Sequence, residues 1–61
     1  MRSLSFYRLH VRMRQYAMAE YVRACIAKAC GHRNESIRHS IIAIRFGKLS
    51  LRYLDAYRHE S

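Results

Sequence analysis

Ile41-Ile42-Ala43-Ile44-Arg45-Phe46-Gly47-Lys48-Leu49-Ser50-Leu51-Arg52-Tyr53-Leu54 can form strands or helices, and the architecture of the chain turns on which. As strands, it is a β-hairpin. Gly47-Lys48 is then a two-residue turn with glycine first, the type II′ pattern. Phe46 would pair with Leu49, Ile44 with Leu51 and Ile42 with Tyr53, placing six side chains on one face. As helices, Ile37, Ile41 and Ile44 recur at helical spacing, as do Leu51, Leu54 and Tyr57. Gly47 then breaks the chain and Ser50 caps a second helix. The chain has no threonine and only two valines, and its flanks are helical in character. Strands favour β-branched residues, so the helical reading is preferred. The competing fold is β-α-β-β, with a first strand over 4–13.

On the N-terminal side, Gln15 to Cys30 holds five alanines and few β-branched residues, a strong helix former. Met18, Val22, Cys25 and Ala29 make an apolar stripe along it. Gly31 stands where a helix stop belongs, with Lys28 in the last turn. Further upstream, Leu4, Tyr7 and Val11 extend the stripe, and Ser5, Arg8, Arg12 and Gln15 share a polar face. Tyr7 to Arg14 also alternates as a strand would, but only Val11 in that run is β-branched. Asn34 is the N-cap of the next helix, with Glu35 in its first turn. The expected fold is all-α: one small domain, 1–61, of three helices over about 4–30, 35–46 and 50–59.

The chain carries 12 Lys+Arg against 4 Asp+Glu, a formal net charge of +8, and ten of the twelve are arginine. Arginine's planar fork of donors suits phosphate and carboxylate. Apolar residues make up 51% of the chain, which excludes a disordered basic tail. Arg23, Lys28, Arg38 and Arg45 interrupt every candidate membrane span. Residues 1–19 hold four arginines, two serines and no acid, a composition like a mitochondrial presequence. Losing them would also remove much of the apolar material a fold needs. Two cysteines, Cys25 and Cys30, are no disulfide framework, and on a helix they face different sides. They read as reduced thiols of an intracellular, cytoplasmic protein.

Residues 42–58 resemble a helix-turn-helix DNA-binding unit. Ala43 is small where two helices would meet, Gly47 would make the turn and Ser50 would cap the second helix. Ile42, Phe46, Tyr53 and Ala56 would form the contact between them. Lys48 and Tyr53 depart from the family pattern. The resemblance implies that Ser50, Arg52 and Tyr53 begin the reading helix, with Arg52 placed for a bidentate contact to guanine. Arg45, Lys48 and Arg58 would contact phosphate. Arg38, Arg45 and Arg52 lie seven residues apart, a basic stripe if one helix carries all three.

Cys25, Cys30, His32 and His39 are residue types that zinc accepts, but they lack a short Cys-x2-4-Cys pair, so no metal or other cofactor is expected. Four scattered acids and no local motif give no basis for catalysis. The function expected is non-catalytic nucleic-acid binding. The competing reading is an accessory protein docking on an acidic protein surface or on RNA. Its size and composition match viral (phage) or mobile-element accessory proteins and small ribosomal or organellar subunits. A homodimer is expected, because little of the chain remains to cover the first helix.

Overall fold

Gly31 is where the chain reverses. Its φ is 80°, the left-handed region that side chains disfavour. Around it the His32 N–H donates to the Ala27 carbonyl at 2.8 Å, and the Gly31 N–H to the Lys28 carbonyl at 3.1 Å. This pair of bonds satisfies carbonyls that a helix end otherwise leaves open, the Schellman arrangement. In the computed structural model, which describes residues 4–60, the turn joins two helices. Helix α1 spans Leu4–Ala29 and α2 spans Arg33–His59. Residues 1–3, which begin the arginine-rich presequence-like stretch, and Ser61 lie outside the described residues.

The all-helical expectation holds, and no strand occurs among the described residues. The count of three helices is corrected to two, because α2 runs unbroken through Gly47 and Ser50. Gly47 has no positive φ and keeps its place in the helical ladder. A helical glycine costs only about 1 kcal/mol relative to alanine. Asn34 is not the N-cap either. The turn at Gly31 delivers the chain directly into helix at Arg33, so His32 occupies the cap without a side-chain bond. Glu35 does fall in the first turn of α2, and Arg58 and His59 in its last, as the dipole favours.

The helices pack antiparallel, with Phe6 against Tyr53, Tyr16 against Phe46 and Ser36 against Ala24. The hairpin is only one helix thick, 49 × 12 × 10 Å. Its seam is built of small residues. Ala24, Ala27, Ala43 and Ser50 are the buried side chains among the described residues. They belong to a repeat alternating steps of four and three, through Phe6, His10, Met13, Ala17, Glu20, Ala24 and Ala27 on α1. On α2 it continues through Ser36, His39, Ala43, Phe46, Ser50, Tyr53 and Tyr57. That repeat keeps one face of each helix on its neighbour.

Two bonds show how close the backbones come. The Ser36 hydroxyl donates to the Ala24 carbonyl at 2.9 Å. The Ser50 hydroxyl donates to the His10 carbonyl at 3.0 Å. A serine side chain is short, so both contacts place the helix axes toward the near end of the usual separation of about 8–10 Å. The consequence is a shift of the apolar stripes. Met18, Val22 and Cys25 on α1, and Ile37, Ile41 and Ile44 on α2, are exposed rather than in the seam. Large side chains in those positions would hold the helices apart, and the small ones win the contact.

Candidate nucleic-acid interface

All eleven Lys and Arg side chains among the described residues are exposed. Because α2 is continuous, Arg38, Arg45 and Arg52 fall on one outward arc, opposite the seam. Fourteen residues at about 1.5 Å rise spread the three over roughly 21 Å. Lys48 is exposed beside this arc, and Arg58 is exposed at the C-terminal end. A second basic arc lies on α1, where Arg8 and Arg12 stand one turn apart and exposed, with Gln15 beyond them. Their shared polar face is visible in the sequence, although it falls outside the stretch resembling a helix-turn-helix.

The other two residues singled out from the sequence turn inward. Ser50 is 4% exposed and caps nothing. Tyr53 is half-buried, its ring 6.4 Å from that of Phe6. Nor do residues 42–58 contain a turn, since Gly47 is inside α2. Arg38, Arg45, Lys48, Arg52 and Arg58 therefore form the accessible part of the set, and Ser50 and Tyr53 support them from the seam.

The acids do little to neutralise this surface. Glu20 sits between the helices, bonded to His39 of α2 and to Arg23 one turn along α1. The His39 bond holds its carboxyl below the ordinary carboxylate range; partial desolvation opposes this, and Arg23 reinforces it. Asp55 faces His59 at 3.3 Å. Arg23, itself exposed, pairs with Glu20.

No family model matches this chain, and no curated protein or solved structure matches it.

His10 and Ser50 make the main polar contact across the seam. The His10 Nδ1 lies 2.9 Å from the Ser50 carbonyl, an acceptor only, so Nδ1 carries the proton. The Ser50 Oγ lies 2.8 Å from the same nitrogen, and its own hydrogen goes to the His10 carbonyl. The arrangement locks the two helices in register. It does not activate the hydroxyl, because the nitrogen facing it is a donor.

Cys25 and Cys30 are free and exposed. His39 is engaged with Glu20. Among the described residues no group of three His, Cys, Asp or Glu side chains lies close enough to hold a metal ion. No helix among them is long and apolar enough to cross a membrane.

One flank of the seam opens into an apolar groove of about 760 Å³. Ala17, Ala43 and Gly47 lie along its floor. Met18, Tyr21 and Val22 stand on the α1 side, Ile44 and Leu51 on the α2 side. Away from the groove, the Tyr16 and Phe46 rings meet across the seam at 5.4 Å.

Proposed function

We propose that this protein is a non-catalytic nucleic-acid-binding protein that meets phosphate with the arginines on the outward arcs of its two helices. The observation that carries the reading is the disposition of charge. In a chain of net charge +8, the eleven Lys and Arg side chains among the described residues are all exposed and outnumber the four acids. Arg38, Arg45 and Arg52, aligned along about 21 Å of α2, form a rod that can follow a groove or a strand of phosphates. Arg8 and Arg12 add a second line of contacts from α1. With no turn before it, Arg52 does not begin a reading helix and joins Arg38 and Arg45 in the phosphate row, with Lys48 and Arg58 adding phosphate contacts beside it. The non-catalytic part of the reading is supported by the His10–Ser50 pair, whose hydroxyl is spent on a backbone carbonyl. A reducing, cytoplasmic setting, with Cys25 and Cys30 as thiols, belongs to the same reading.

The test is direct binding of the full chain to duplex DNA and to RNA. Retention at about 50 mM salt, weakening steeply as salt rises, supports the proposal, because each neutralised phosphate releases counterions. Undetectable binding to both at that salt overturns it.

The same exposed arginines also suit a second reading, an accessory protein that docks on an acidic protein surface. A stoichiometric partner that survives nuclease treatment, with no intrinsic nucleic-acid affinity, would support that alternative.

A further inference from the structure

A single copy of this hairpin exposes more surface than a compact chain of its mass. Its accessible area is 5153 Å². A compact monomer of its 7.3 kDa mass exposes about 4200 Å². The excess, on the order of 1000 Å², is somewhat more than the roughly 800 Å² that each partner gives to a standard stable interface. It is also unevenly placed. Met18, Tyr21, Ile44 and Leu51 are each about three-fifths exposed or more, and all four line the groove.

We infer that the groove face is the interface of a homodimer, in which two hairpins pack face to face as a four-helix bundle. Three observations select a second copy over another occupant. The excess area of the hairpin as a whole is enough for a protein interface. The lining holds a single Lys or Arg, Arg14, and no acid. A partner there must therefore be apolar rather than acidic, and this chain's own face has that character. The groove is bounded by helices of 26 and 27 residues, so a second copy of equal length covers it from end to end. The outward arginine arcs stay free in such a bundle, which keeps most of the charge of the two copies apart. The inference stands independently of the nucleic-acid proposal.

The experiment is sedimentation equilibrium of the full chain with parallel circular dichroism, over a wide concentration range. Variants Ile44→Asp and Leu51→Asp target the face. Ile26→Asp and Ile41→Asp are the controls, being also exposed but outside the groove lining. The expected mass is twice 7.3 kDa, with melting that rises with concentration. The two face variants should weaken association at least about 100-fold, since each would bury a charge, and the controls should not. If the face variants lose helicity together with the dimer while the controls keep both, the inference is also supported, because these side chains are exposed in one copy. A fully helical monomer at every concentration overturns it. So does a dimer indifferent to Ile44 and Leu51, or one lost equally in the controls. A chain that stays monomeric alone and covers this face only on anionic vesicles assigns the face to lipid and overturns it as well.

Discussion

The chain has two glycines, and the structure predicts opposite signs for replacing them. At Gly31 the backbone sits at φ 80° and nothing lies within 4 Å of an added Cβ. The cost of Gly31→Ala is therefore backbone strain alone. The left-handed conformation costs an ordinary residue roughly 1–2 kcal/mol, and a stiffer unfolded chain offsets about 0.4–1 of that. The net expectation is about 1 kcal/mol of destabilisation, and less for Gly31→Asn, since asparagine tolerates that region. At Gly47 the backbone is helical and an added Cβ also meets nothing within 4 Å. Gly47→Ala should stabilise by up to about 1 kcal/mol. In a chain this short each kcal/mol moves the melting temperature by about 4–8 °C. The two alanine variants should thus differ by roughly 8–16 °C in thermal melts followed by circular dichroism at one fixed chain concentration. If Gly47→Ala destabilises while Gly31→Ala does not, the turn is at Gly47 and α2 is not one continuous helix.

The seam makes three further outcomes testable. Ser50→Ala removes a hydroxyl that bridges to the His10 carbonyl, and should cost about 1 kcal/mol in denaturant unfolding. Ser50→Leu should cost more, about 1–3 kcal/mol from overpacking, and a neutral result would mean the helices are not in close contact there. Glu20 has a folded-state pKa below its ordinary 4.5, chiefly through His39. Its stabilising contribution is therefore present above about pH 4.5 and lost as the pH falls through the lower folded value. Glu20→Gln should flatten that acid limb of the melting profile, and an unchanged limb would remove Glu20 from the interhelical contact.

The helical class was legible in the sequence, as was the stop at Gly31. After Gly31 no large apolar residue appears until Ile37, so nothing calls for a helix face there. After Gly47 only Lys48 intervenes before Leu49, and the apolar pattern resumes within the same helix. That difference separates a turn glycine from a helical one, and the glycine alone does not carry it. The seam was harder to see, because hydrophobic periodicity weights large side chains. It picks out Met18-Val22-Cys25 and Ile37-Ile41-Ile44, which the structure leaves exposed. The residues that do meet include Ala24, Ala27, Ala43 and Ser50, interspersed with His10, Glu20, Ser36 and His39. Five of the fourteen residues in that repeat are polar and four are alanine, so its signal is spacing rather than hydrophobicity. For the site, exposure of the arginines could be expected from their charge. Alignment of Arg38, Arg45 and Arg52 depended on whether Gly47 broke the helix. The inward placing of Ser50 and Tyr53 depended on knowing the seam.

Phosphate binding by an aligned row of arginines on α2 can be measured as the slope of log affinity against log salt for duplex DNA. The slope is compared between the natural chain and an Arg38→Gln, Arg45→Gln, Arg52→Gln variant. At about 0.9 per neutralised phosphate, losing three contacts should reduce the magnitude of the slope by about 2.7 while helicity is kept. An unchanged slope in a fully helical variant would show that this row does not bind phosphate.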